Sequence, residues 1–152
     1  MKAKFFLRKA IRSDAKLLLD WSNDLTVRRW SFNKKPISLL EHKKYLKNFF
    51  DKKNFIMWIF LFKKKPCGLV RIKKYKRKAI LSYLISGKYR GKKLASTMLC
   101  LANNKLCKKF PKVSIYAHVL TNNSKSIKSL IRAGFVLKNS KKNKKIYIHQ
   151  CI

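Results

Sequence analysis

Apolar and polar positions divide the chain into short periodic segments separated by lysine-rich turns. Lys4 to Lys9 (KFFLRK) reads as a first strand. Ser13-Asp14 offers an N-cap, and Ala15, Leu17, Leu18, Leu19 and Trp21 form a first helix. From Trp21 to Phe32, aromatic, amide and basic residues mix without a period, which predicts a loop. A second helix is predicted from about Leu39 to Phe50, with Leu39, His42, Tyr45, Leu46 and Phe49 on one face. Ser38 is its N-cap, and Glu41, three residues on, completes a capping box. Phe55 to Phe62 is apolar at every position and predicts a central strand covered on both faces.

The turn Lys63-Lys64-Lys65-Pro66 leads to a hairpin partner at Cys67 to Lys73, where Gly68 marks a bulge or turn exit. A second basic turn, Lys74 to Lys78, precedes the strand Ala79 to Ile85. A helix then reaches about Cys107, and Val113 to Val119 is another strand. Thr121 to Ser124 is a turn and helix cap, followed by a short helix, Lys125 to Ala133, closed by Gly134. Phe135 to Lys138 and Ile146 to His149 predict a last hairpin joined at Ser140 to Lys145. The order implies one mixed α/β domain over residues 1–152, with antiparallel hairpins and at least one crossover.

Composition sharpens this picture in one respect. The chain has 152 residues, 47% of them hydrophobic, enough to bury a core and argue against disorder. Forty Lys and Arg oppose five acidic residues, a formal net charge of +35. All five acids (Asp14, Asp20, Asp24, Glu41, Asp51) lie in the first third. Such a surface attracts anions, including nucleic acid and phosphate-bearing small molecules. The lysines are spread along the chain, however, as compositional drift would spread them. The longest apolar run is too short to span a membrane, and no signal peptide is recognisable, so a cytoplasmic protein is expected. Cys67, Cys100, Cys107 and Cys151 show no metal spacing and are expected to be buried free thiols; no metal is expected.

The stretch Leu81 to Leu99 carries the chemistry. A strand breaks at Gly87 into the basic turn Lys88-Tyr89-Arg90-Gly91-Lys92-Lys93, and Leu94, Met98, Leu99 and Leu101 then follow at helical spacing. The first helical amides lack internal partners, the helix dipole favours an anion there, and glycine permits close approach, so the turn is suited to phosphate. It is neither a Walker loop nor a dinucleotide fingerprint. It resembles the acetyl-CoA signature of the GNAT N-acetyltransferases, Arg/Gln-x-x-Gly-x-Gly/Ala, with Arg90 and Ala95 at the outer positions and Lys93 in place of the middle glycine. Asn123-x-x-Ser126-Ile127 followed by Ala133-Gly134-Phe135 is similar to the C-terminal signature of the same family.

The resemblance covers nearly the whole chain. It implies the GNAT fold, a mixed, mostly antiparallel sheet of about seven strands with about four helices. It also implies an acetyl-CoA co-substrate inserted between the strand at Ala79 to Ile85 and its neighbour at Val113 to Val119. The implied cofactor residues are Leu84 and Ile85 beside the pantetheine, Arg90, Gly91, Lys92, Lys93, Leu94 and Ala95 at the pyrophosphate, and Asn123 and Ser126 near the CoA arm. Segments of the N-terminal half, including Leu19 to Asp24, Val27-Arg28 and Glu41-His42-x-x-Tyr45, look like the branch that acetylates nucleotide-linked amino sugars, as in pseudaminic-acid synthesis. A branch that acetylates protein N-termini, notably of ribosomal proteins, shares parts of this pattern.

Acetyl transfer to an amine needs a proton acceptor, a stabilised oxyanion and a leaving thiolate. Family relatives use a Tyr in the last short helix and a Glu at the start of the central strand; Leu130 and Ile80 stand there in this chain. The remaining catalytic candidates are His42, Tyr83 and His118, with His149 expected at the surface. Trp21, Asn23, Arg28, Trp30 and His42 are the candidates for substrate binding by stacking and charge. Three functions stay open: acetylation of a small nucleotide-linked amine, acetylation of a protein N-terminus or an RNA-associated target with nonspecific RNA binding, and a basic module without catalysis. The expected state is monomer or homodimer.

Overall fold

The computed structural model describes residues 4–151. Seven strands form one sheet in the order β1-β2-β3-β4-β5-β7-β6. The strands are β1 (Phe5–Lys9), β2 (Phe55–Phe62), β3 (Lys65–Tyr75), β4 (Lys78–Ile85), β5 (Ser114–Leu120), β6 (Val136–Ser140) and β7 (Lys144–Gln150). The helices are α1 (Ala15–Ser22), α2 (Leu25–Arg29), α3 (Leu39–Asp51), α4 (Leu94–Lys109) and α5 (Ser124–Arg132). Every described pairing is antiparallel except β4 with β5, which α4 connects as a crossover. This is the GNAT fold that the two motifs implied.

The sheet is covered on both faces, and strand alternation assigns each side chain to one of them. Val70, Ile72, Leu81 and Ile115 pack under α4 and α5, with Met98, Leu106 and Phe135. Met57, Ile59, Leu69 and Leu84 face the other way, under α1 and α3, with Leu18, Leu46 and Phe49. The fully apolar β2 lies between both layers, and its residues Met57 to Leu61 are buried. That placement is why its sequence does not alternate.

Local signals act where they were expected. Ser38 accepts from the Glu41 amide at 3.1 Å, and Glu41 accepts from the Ser38 amide at 3.3 Å. Asn123 accepts from the Ser126 amide at the start of α5. Gly134 closes that helix with a φ of 90°. The bulge near Gly68 is present, with the register shifting between Phe60 and Leu61.

Several expectations are corrected. Residues 21–32 are not simply a loop: α1 continues through Trp21 and Ser22, and α2 forms because Asp24 caps it, accepting from the Thr26 and Val27 amides. Asp14 does not cap α1; its carboxylate accepts from the Ile11 amide and from both terminal nitrogens of Arg8, at 2.8 Å each. The helix face of α3 is narrower than predicted, because Leu39 and Tyr45 are exposed. His149 is half-buried rather than at the surface, with its ring 5.7 Å from that of Phe135. Only Cys67 is a buried free thiol: Cys100 is exposed, and Cys107 is bonded to Cys151. The bridge ties the last turn of α4 to the residue after β7 across 44 positions, a proximity that only the folded sheet creates.

Candidate active site

The site is built on a failure of pairing. β3 and β4 stay in register to Ile85, and β5 stays paired with β7 from Ser114 to Leu120. Between β4 and β5, however, only Lys78–Ile80 pair with Ser114–Tyr116. Residues 81–85 of β4 therefore offer unpaired backbone groups toward a widening split, where an extended chain can add as a strand.

At the end of β4 the chain passes through a short turn into α4. Gly91 has a φ of 77°, and a side chain there would meet nothing within 4 Å, so the backbone is open to a ligand. Lys93, the N-cap of α4, adopts the left-handed conformation with φ 59° and ψ 20°. The turn thus retains the backbone that favours glycine, despite the lysine. The Lys93 side chain is exposed, and its carbonyl accepts from the Ser96 hydroxyl. Leu94 is buried and Ala95 packs against the core, which seats the first turn of α4 beneath the loop. Lys92 lies over the Tyr89 ring. Arg90 is engaged elsewhere: it donates to Asp24 Oδ1 at 2.9 Å. These residues fit a diphosphate held by backbone amides at a helix start, and the split fits a pantetheine arm.

Two faces flank the split. On the α4–α5 side, Leu81 and Ile85 belong to the core, and the Tyr83 hydroxyl donates to the Ser126 carbonyl at 3.3 Å and hydrogen-bonds Ser126 Oγ. Burial pushes the Tyr83 phenol above its ordinary pKa, against opposing hydrogen bonds with Ser126 and Ser129. Tyr83 is therefore a neutral O–H group tying β4 to α5. Leu130 is buried in the same core cluster and offers no hydroxyl.

On the opposite face, alternation places Ile80 and Ser82 of β4, Tyr116 and His118 of β5, and Arg71 of β3, which is paired with Ser82. His118 lies two residues beyond the last β4–β5 pair and is exposed. Partial burial, then the charges of Lys144 and Lys141, hold its pKa below the ordinary histidine value. It is neutral at pH 7 and able to accept a proton.

The other sequence candidates are placed differently. His42 is buried, and its Nε2 donates to the Ala15 carbonyl at 2.7 Å, joining α3 to α1. Its ring lines a cavity of about 190 Å³ beneath α1 and α3, with Leu18, Ser22, Met57, Leu69 and Arg71. Asn23 uses its whole amide on the backbone of Ile37, at 2.7 and 2.9 Å. Arg28 donates to the carbonyls of Ser22, Asn33 and Lys35 and to the Ser31 hydroxyl. These two side chains shape the segment between α2 and α3 rather than project from it. Trp21 packs against the α1–α3 core, and Trp30 lies half-buried under the Arg29 guanidinium.

Sequence reading missed Arg71. Its signal was a lone arginine inside the apolar run Leu69-Val70-Arg71-Ile72. It also missed Asp24 as the partner of Arg90, since the two are 66 positions apart.

Comparison with solved structures gives the same architecture. A domain from Methanocaldococcus jannaschii superposes with a TM-score of 0.85 at 23% identity, covering 98% of this chain and 99% of that one. Spermidine N-acetyltransferase from Vibrio cholerae, in complex with CoA and spermine, gives 0.83 at 19% identity, covering 97% and 94%. Aminoglycoside acetyltransferase AAC(6')-Ib in complex with coenzyme A gives 0.81 at 16% identity, covering 96% and 94%. No curated protein sequence matches the chain. The acetyltransferase (GNAT) domain model, in contrast, matches residues 4–136. With the β4–β5 split and the phosphate turn, that match makes the chain a member of the GNAT acetyltransferase family, an acetyl-CoA-dependent N-acetyltransferase.

Proposed function

We propose that the chain acetylates the primary amine of a nucleotide-linked amino sugar by direct transfer, in the cytoplasm. The observation that carries this reading is the split between β4 and β5, with a neutral imidazole, His118, on its open face. Acetyl-CoA supplies the activated thioester. The chain's own contribution is to line up the two reactants, which converts a bimolecular step into a local one, and to take the proton released by the amine at His118. Tyr83, kept neutral by burial, is the O–H group on the cofactor side able to meet a departing thiolate. His42 holds the acceptor helices together and acts as a positioning residue.

The distribution of acids favours a small anionic acceptor over a polyamine. Asp14 and Asp24 face Arg8 and Arg90, Asp51 pairs with Arg12, and Glu41 serves the α3 cap. No acid lies on β4 or β5, and Glu41, the one acid lining the cavity beneath α1 and α3, is held at the Ser38 amide.

The test is calorimetric titration of acetyl-CoA at moderate salt, with desulfo-CoA and ATP as controls, followed by acetylation of UDP-glucosamine, glucosamine and an N-terminal peptide. Binding that ATP does not reproduce, with turnover of the nucleotide sugar, supports the reading. Binding no tighter than ATP would overturn it, and turnover of the peptide alone would transfer the assignment to protein N-termini.

A further inference from the structure

The acceptor-side cavity contains a positive charge that the transfer chemistry does not use. Arg71 lines it, and its Nε is buried without a hydrogen-bond partner among the described residues. None of the three ion pairs among those residues includes Arg71 or Arg28. The two guanidiniums also sense each other: burial and the neighbouring Arg71 charge both lower the pKa of Arg28. Glu41 is the one carboxylate in the cavity lining, and it is committed to the Ser38 amide at the start of α3. The repulsion between the two guanidiniums is therefore left for a bound oxyanion to relieve.

The placement suits an acceptor. Arg71 pairs with Ser82 across β3 and β4 on the face that carries His118. One strand spacing, about 4.8 Å, separates its backbone from the strand that borders the split. A molecule with its amine at the split can therefore set a second group over β3, and guanidinium geometry matches phosphate oxygens bidentately.

We propose that Arg71 and the cavity beneath α1 and α3 form a subsite for a phosphoryl group of the acceptor, with Arg71 as the specificity-determining residue. This rests on the amine-acetyltransferase reading above and deepens it: the substrate class becomes phosphorylated amines, with polyamines excluded. His42, Ser22 and the exposed edge of Glu41 complete the lining.

The experiment is designed to separate the two ideas. CoA is first added to saturation, so that the phosphate turn is filled, and inorganic pyrophosphate is then titrated by calorimetry. Wild type, Arg71→Leu, Arg71→Lys and Lys112→Ala are compared, the last removing an exposed charge in the turn before β5. Thermal melting verifies that each variant folds. The expected result is one-to-one pyrophosphate binding by wild type and Lys112→Ala, weakened at least tenfold in Arg71→Leu. Arg71→Lys, which keeps charge but loses the fork, is expected between them, and it carries the test if Arg71→Leu does not fold. The inference is overturned if wild type shows no one-to-one site beyond CoA, or if the Arg71 variants lose no more than Lys112→Ala. Failure of CoA itself to bind would instead overturn the acetyltransferase reading.

Discussion

The Arg90 guanidinium donates to Asp24 Oδ1 at 2.9 Å and so ties the phosphate turn ahead of α4 to the cap of α2. Asp24 serves both ends of the site at once: its carboxylate closes α2 and positions the turn across 66 residues of sequence. Burial pushes its pKa up, but Arg90 and the Val27 and Thr26 amides outweigh that and hold it below the ordinary carboxylate value. A depressed carboxylate contributes above its unfolded pKa and is lost as pH falls through the folded one. Asp24→Asn is therefore expected to weaken acetyl-CoA binding several-fold at pH 7. The stability difference from wild type should stay constant from neutrality to about pH 5 and fade below about pH 4, in urea titrations at each pH.

The second prediction concerns Lys93. Among the described residues, all four non-glycine positions with positive φ are lysines: Lys63, Lys64, Lys76 and Lys93. Left-handed backbone costs a side-chain-bearing residue about 1–2 kcal/mol. Glycine recovers most of this but has more freedom to lose on folding. Lys93→Gly is expected to stabilise the protein by about 1 kcal/mol, with acetyl-CoA affinity retained. Thermal melting and calorimetry check both halves; a tenfold loss of affinity would mean that the lysine side chain itself binds phosphate.

The disulfide yields a third expectation. Linking residues 44 positions apart removes entropy from the unfolded chain, worth about 4 kcal/mol in the loop-closure view. Cys107→Ala, or reduction by a thiol, should lower unfolding stability by about 2–4 kcal/mol and leave acetyl-CoA affinity nearly unchanged, since the bridge joins α4 and β7 away from the phosphate turn. Urea unfolding with and without reductant measures it.

How legible each feature was depends on its range. The Ser38–Glu41 box, the Asn123 cap and the glycine at 134 act within one helical turn, so spacing alone exposes them. The site motifs were legible for the same reason, because Arg90 to Ala95 and Asn123 to Phe135 are each contiguous. The Arg90–Asp24 tie, the Cys107–Cys151 bridge and the unpartnered Arg71 are products of tertiary proximity, and no local period encodes them. α2 falls between these cases: its cap is local, but five residues of LTVRR give too little periodicity to outweigh a loop composition.

The two histidines separate structure from chemistry. His42 donates from a buried ring to the Ala15 carbonyl, and its removal deletes this bond between α3 and α1. His42→Ala is expected to cost about 2 kcal/mol of stability in urea, through the lost bond between α3 and α1 and the small cavity created. His118 is exposed and makes no such bond among the described residues. His118→Ala should leave stability within about 0.5 kcal/mol of wild type and reduce kcat by about 10²-fold or more, with the KM for acetyl-CoA unchanged. Partial burial, then Lys144 and Lys141, lower its pKa, so the base loses its proton at a lower pH than an ordinary histidine does. The acidic-limb rise of kcat with pH should therefore be centred below the ordinary histidine value in wild type and disappear in His118→Ala. A rate insensitive to His118 would leave proximity, with solvent as proton acceptor, as the whole of the catalytic contribution.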